Sequence, residues 1–211
     1  YGQQTIWFLH RLAPESPAYN VSVPLRVSGP LNARALRQAF LALVERHASL
    51  RTTFGEIEGE PVQRIHQQLD PLFEEQDATA WDEQAVKSYL VQESHRPFDL
   101  ERGPLLRIHL LRRGEERHVM LLVLHHIAVD FWSLAILMQE LRQHYEAERR
   151  GVSLELKRPA FEYADFVRWQ IEMLEGPEGD QLWDYWQEQL TGELPVLQLP
   201  LDRPRPAVQT Y

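Results

Sequence analysis

The 211 residues are 44% apolar and 25% charged, ordinary values for a globular chain long enough to bury a core. Twenty-two basic against 31 acidic side chains leave a net charge of −9, which excludes the cationic surface that generic nucleic-acid binding needs. Cysteine is absent, so disulfide scaffolds, cysteine-zinc sites and cysteine nucleophiles are excluded together, and no apolar run approaches the ~18 residues of a membrane span.

A thiol-free chain with no secretory signal is expected in a reducing, cytoplasmic setting. It starts at Tyr1 without a methionine and reads as a piece excised from something longer. Val21, Val23, Leu25 and Val27 alternate with polar residues and Pro24, the pattern of a half-buried edge strand. Leu31, Ala35, Leu36, Ala39, Phe40, Leu43 and His47 recur at helical spacing, with Asn32 or the preceding Gly-Pro as the start signal. Residues 50–66 read as a hairpin turning at Gly55 and Gly59. Trp81, Ala85, Val86, Tyr89 and Leu90 predict a second helix. Two strands follow, Leu105–Leu111 and His118–His126, around a charged turn at Gly114.

Val119 to Leu124 is the most apolar run in the chain, and its lack of alternation predicts a strand buried on both faces. Helical periodicity returns abruptly at Leu134, Leu137, Met138, Leu141 and Tyr145. Two further helices are expected over Phe161–Leu174 and Asp180–Leu190, then a Pro-studded extended stretch, Leu194–Pro206. The sum is a single α/β lobe, a mixed sheet covered by helices.

Chemistry concentrates where the apolar strand ends, in His125-His126-Ile127-Ala128-Val129-Asp130. A chance His-His-x-x-x-Asp is expected about 0.02 times in a chain of this composition, so context has to sharpen the match. Successive strand residues point to opposite faces, so one imidazole can line a cavity while its neighbour packs inside. Three readings stand: paired core histidines held by backbone carbonyls, a metal site, or a proton-handling or substrate-orienting histidine. A metal would need His126 and Asp130 at helical i, i+4 geometry, which the preceding strand opposes. Trp132 and Trp169 read as core aromatics.

Four ordered segments carry a resemblance. Gln4-Thr5-Ile6-Trp7-Phe8-Leu9 through Ser16-Pro17-Ala18-Tyr19-Asn20 resembles the opening motif of the condensation domains of nonribosomal peptide synthetases, in the chloramphenicol-acetyltransferase-like superfamily. Glu45-Arg46-His47-Ala48-Ser49-Leu50-Arg51-Thr52-Thr53-Phe54 resembles the second motif, Leu124 through Ser133 the active-site motif, and Tyr163-Ala164-Asp165-Phe166-Val167-Arg168-Trp169 the fourth. The tail, Leu199 to Pro206, resembles the segment leading out of the N-terminal lobe. The resemblance covers nearly the whole chain and implies the N-terminal lobe of a two-lobed domain over residues 1–193. Residues 194–211 would lead toward the missing C-terminal lobe.

What the resemblance implies is amide formation between two thioester-tethered substrates. The phosphopantetheine arms belong to donor and acceptor peptidyl carrier proteins, an adenylation domain lies nearby, and this lobe binds no cofactor or metal of its own. His126 would face the reaction centre, and His125 would pack and stiffen the motif. Asp130 would pair with Arg51, Arg46 being a second candidate that otherwise reads as a solvated arginine on its helix. N–H groups near Phe131 and Trp132 would support an oxyanion. The family usually carries glycine after the aspartate; Phe131 stands there and implies a helix-compatible φ that reshapes the entrance or acceptor pocket. Epimerisation-type relatives share the motif, and a silent recruiting domain of the same fold is the alternative. Cyclising relatives replace the histidines with aspartate. The isolated lobe is expected to be poorly active, since half the tunnel wall would be absent.

Overall fold

The computed structural model of the chain describes residues 1–195, 200 and 202–204. Its central sheet has the strand order β1-β6-β5-β4, formed by β1 (Asn20–Ser28), β4 (Leu72–Asp77), β5 (Leu106–Gly114) and β6 (Arg117–His125). β6 runs antiparallel to both β1 and β5, while β4 and β5 are parallel. A parallel pair needs a crossover, and α3 (Glu83–His95) supplies it. The sheet is therefore mixed, as expected, and among the described residues Pro24 sits on a strand that pairs along one side only. β2 (Thr52–Ile57) and β3 (Glu60–Ile65) form a separate hairpin. Its turn is Glu58-Gly59, both at positive φ as tight hairpin turns demand. Gly55 does not mark the turn: it lies inside β2, opposite Val62.

Side-chain alternation sorts β5 and β6 between two layers. Leu106, Ile108 and Leu110 share one face with Met120, Leu122 and Leu124, and pack against α2 (Ala33–Arg46) and α4 (Phe131–Arg150) through Leu36, Phe40, Leu43 and Leu141. On the other face Leu105, Leu121 and Val123 meet Trp7, Phe54, Phe98 and Leu100. Further along that face, Leu111 packs with Val86 and Tyr89 of α3. The unbroken apolar run of β6 is thus explained, because both of its faces are covered.

Helix starts follow local chemistry. Asn32 caps α2 by accepting from the Ala35 N–H, and Asp82 caps α3 through the Ala85 N–H. Gly151, in the left-handed region, ends α4. Two elements carry no usable sequence signal. α1 (Gly2–Leu12) places only Trp7 in the core, so its apolar periodicity is thin. β4, Leu-Phe-Glu-Glu-Gln-Asp, is rich in residues that strands disfavour and is held by pairing with β5.

The chain divides into two compact units, residues 1–165 and 166–211. The second contains the rest of α5 (Tyr163–Leu174) and α6 (Pro177–Gln189). A Cβ on Gly179 would lie 2.0 Å from the Leu174 carbonyl oxygen, so only glycine lets α6 start so close to the end of α5. Most of the expected extended stretch at 194–206 lies outside the described residues.

Truncating the doubly covered strand should be costly. Leu122→Ala is expected to lower stability by about 2–5 kcal/mol, measured by denaturant unfolding; a loss under about 1 kcal/mol would contradict two-sided burial.

Candidate active site at the end of strand β6

β6 ends with its two histidines in opposite environments. His125, in phase with Leu121 and Val123, faces the Trp7/Phe98 layer and is only 3% exposed. Its ring lies edge-on to Phe98 at 5.8 Å and to His10 at 6.2 Å, with Tyr19 tilted at 6.2 Å. Nδ1 accepts the Ile127 N–H at 3.2 Å, so in the neutral ring the proton sits on Nε2. Burial, reinforced by His10, His126 and Arg107, pushes the His125 imidazole down to about 4. This is the packing histidine of the pair.

His126 takes the opposite side, and its side chain is exposed. Its backbone N–H is tied to the Tyr19 carbonyl at 2.8 Å, which extends the β1–β6 ladder one step past the strand. Ring Nδ1 lies 2.7 Å from the Val129 carbonyl oxygen. A carbonyl only accepts, so Nδ1 carries the proton and the neutral ring presents the Nε2 lone pair outward. The intervening turn is fixed by Ala128 N–H to His125 O at 3.0 Å and by Gln3 Nε2 to Ile127 O at 2.7 Å.

Asp130 does not pair with Arg51. Its carboxylate caps α4, accepting the Ser133 N–H at 2.7 Å and the Ser133 hydroxyl at 2.6 Å, while the Ser133 hydroxyl oxygen accepts the Asp130 N–H at 3.3 Å. The signal for this reciprocal capping box is Asp-x-x-Ser ahead of a helical stretch, and the cap wins over the expected ion pair because Ser133 is local. The two bonds from Ser133 hold the carboxyl below the usual carboxylate range, with a smaller contribution from His126. Tyr163 stands within electrostatic reach: its phenol is raised by burial and then by the Asp130 charge. Arg51 instead donates to the His66 carbonyl, bracing the 3-10 turn Ala48–Arg51 against the far end of the hairpin. Arg46 is no solvated helix-face residue either. It bonds Glu140 of α4 at 3.0 Å and reaches the carbonyls of Leu156 and Lys157, while His47 shares the same Glu140 oxygen at 2.6 Å.

Phe131 is the first residue of α4 and adopts helical backbone, as a non-glycine residue there requires. The Ser133 and Leu134 N–H groups are spent on Asp130; among the described residues those of Phe131 and Trp132 meet no acceptor. Trp132 is not a core aromatic. It is 75% exposed, Phe131 80%, and the two rings lie edge to face at 6.2 Å. Trp169 is also outside the core, at 54% exposure. Trp132 falls outside the apolar stripe of α4, whereas Trp169 lies on the apolar side of α5, its ring 5.7 Å from that of Phe166. Among the described residues no three His, Asp or Glu side chains gather to hold a metal ion, and no helix is long and apolar enough to cross a membrane.

A mixed sheet covered by helices thus carries a fixed imidazole at the tip of its innermost strand, four residues ahead of the cap that starts α4. The condensation-domain profile matches residues 2–211, and the chain belongs to that family. It is 42% identical to one of the linear gramicidin synthase subunits of Brevibacillus parabrevis, across all of this chain and 3% of that protein. It is 40% identical to phosphinothricin tripeptide synthetase PhsC of Streptomyces viridochromogenes, across all of this chain and 20% of the other. Among solved structures, the X-domain from teicoplanin biosynthesis superimposes with a TM-score of 0.82 at 29% identity, over 98% of this chain and 46% of that one. The four-domain nonribosomal peptide synthetase holo-AB3403 matches with a TM-score of 0.76 at 27% identity, over 98% of this chain and 15% of that one. The fold is therefore the chloramphenicol-acetyltransferase-like one of condensation domains. The chain spans under half the length of these structures and a few per cent of the gramicidin synthase proteins.

Two outcomes test this geometry. An imidazole suppressed in the fold takes its proton near 6.5 once unfolded, so its contribution to stability is complete above that pH and is lost as pH falls toward 4. His125→Gln, neutral with an acceptor for Ile127, is expected to flatten the wild-type decline across that window by up to about 3 kcal/mol; an unchanged pH profile of unfolding would refute it. Asp130→Ala should cost about 0.5–2 kcal/mol in urea unfolding, whereas Asp130→Asn should keep most of the stability, because asparagine caps as well as aspartate. Equal losses would point to charge rather than capping.

Proposed function

We propose that this lobe forms peptide bonds between a donor acyl thioester and an acceptor aminoacyl thioester, each delivered on the phosphopantetheine arm of a peptidyl carrier protein. Family membership supports peptide-bond formation in general. The assignment of roles rests on one observation: His126 offers an outward Nε2 lone pair, its Nδ1 proton being held by the Val129 carbonyl. The acceptor amine attacks the donor carbonyl carbon, and Nε2 takes the proton that the nitrogen must lose or holds the amine by accepting its N–H. The oxyanion that develops is met by the N–H groups of Phe131 and Trp132, at the positive end of α4. The intermediate collapses as the C–S bond breaks, and the carrier thiolate leaves, needing no strong acid. No enzyme nucleophile enters, in keeping with the absence of cysteine and of any Gly-x-Ser-x-Gly turn.

The reacting cleft would be completed by a C-terminal lobe, reached through the segment after residue 193, with carrier and adenylation domains alongside. Relatives that are parts of multidomain synthetases support that setting. The 211 residues alone are then expected to turn over poorly. Phe131, exposed on the first turn, would narrow the side of the cleft where glycine is usual.

A second reading has its own support. The X-domain from teicoplanin biosynthesis, solved in complex with OxyB, matches with a TM-score of 0.80 at 30% identity, so this lobe form also occurs in a protein-binding setting. Loading donor and acceptor carriers onto the two-lobed domain and following product by mass spectrometry separates the readings. His126→Ala is expected to cut dipeptide formation at least about 10²-fold with the melting temperature unchanged, since the ring is exposed. Product formed by the variant at the wild-type rate would remove the role of His126. No product from the wild type would favour recruitment.

A further inference from the structure

β5 carries a charge where its neighbours predict none. Arg107 sits between Leu105, Leu106, Ile108 and Leu110, faces the layer that holds His125, and is 4% exposed. Burying a guanidinium is expensive unless its donors are satisfied, and an aliphatic residue would fill the space without that cost. Arg107 spends its two Nη groups on backbone, while its buried Nε meets no acceptor among the described residues. Nη2 donates to the Arg96 carbonyl at 2.6 Å and Nη1 to the Pro97 carbonyl at 3.3 Å. Its planar face lies 3.9 Å from the Phe98 ring centroid. Burial and the neighbouring Arg96 lower it to about 10, so it remains charged at neutral pH, with Glu93 nearby as counter-charge.

The segment gripped in this way is the one that touches the histidine pair. Phe98 meets the His125 ring edge-on, at 5.8 Å and 79°. Asn20, which pairs with His125 across β1 and β6, donates to the same Arg96 carbonyl at 3.0 Å and to the Ser94 carbonyl at 2.8 Å. His125 in turn accepts the Ile127 N–H, which sets the turn whose Val129 carbonyl fixes the His126 ring.

We propose that Arg107 and Phe98 are positioning residues for the histidine pair: the guanidinium locks residues 96–98, and the Phe98 ring then holds His125 so that His126 Nε2 faces outward. The inference rests on His126 as the reacting imidazole, but its structural half can be read without turnover.

The test is nitrogen-15 NMR of the chain labelled at histidine, comparing wild type with Arg107→Met, Arg107→Lys and Phe98→Leu, together with product assays in the synthetase that carries this lobe. In the wild type, His126 should be protonated at Nδ1 and His125 at Nε2. Arg107→Met and Phe98→Leu should both move these nitrogen shifts toward tautomer-averaged values. Lysine, a point donor without a stacking face, should restore them only in part. Turnover should fall about tenfold or more in kcat, with KM within about twofold, as expected for a misplaced group rather than a lost binding contact. Wild-type shifts for both rings in either folded variant, even with a lower melting temperature, would overturn the proposal. If Arg107→Met does not fold, Phe98→Leu decides, since it removes the ring contact and leaves the charge. Should both fail to fold, unmoved rings in Arg107→Lys overturn it and displaced rings support it. If the rings move while His126→Ala turns over normally, the positioning stands and the assignment of the reaction fails.

Discussion

Everything at the site follows from one constraint: a strand covered on both faces must put consecutive side chains in opposite places. β6 is buried from Met120 to His125, between β1 and β5 and between two layers of packing. At its end the alternation separates two chemically identical residues. His125 is drawn into the layer of Trp7 and Phe98, where ionisation is suppressed and the ring becomes a rigid acceptor. His126 is left outside, and among the described residues only the Nδ1 of its ring is engaged. The same imidazole is thus packed inside at one position and turned to solvent at the next, and the difference is environment alone.

The turn after the pair converts this arrangement into a site. Asp130 ends the turn and begins α4, so a residue that looks like a charge partner in the sequence does its work as a helix cap. Its carboxylate is consumed by Ser133, and among the described residues the first two N–H groups of the helix meet no acceptor. Arg51, the partner the motif suggested, is used elsewhere to tie the 3-10 turn to the hairpin. The two residues are thus spent separately, Arg51 on a backbone carbonyl and Asp130 on the N–H and hydroxyl of Ser133. Arg46 and His47 converge on one carboxylate, Glu140, and so join the end of α2 to α4, the helix that carries the N–H groups.

Phe131 shows how a departure from a family pattern is accommodated. A glycine there allows close approach or unusual backbone, but this backbone is helical and asks for neither. The cost falls on the surface instead, where two adjacent aromatic rings stand mostly in solvent. Contiguous exposed apolar area of this kind is the sort that a ligand or another protein surface covers.

By itself, the sequence determined the periodic elements and the order of the motifs. The edge strand with Pro24, the helix capped at Asn32, the β5–β6 hairpin and the doubly buried β6 were all legible, because burial and capping write themselves into residue spacing. The opposite fates of His125 and His126 were also legible, since they need only strand geometry. Tertiary structure decided what spacing cannot encode. β4 exists because β5 pairs with it, and α1 is held by Trp7 in the core and by the Gln3 bond to the Ile127 carbonyl. Which acceptor takes the Arg51, Arg46 and Arg107 donors depends on segments between 15 and 111 residues away in sequence for the first two, and on the backbone of residues 96 and 97 for the third. The exposure of Trp132 likewise depends on what packs beside its helix turn. A side chain's type fixes what it can bond, and only the folded chain fixes what comes within reach.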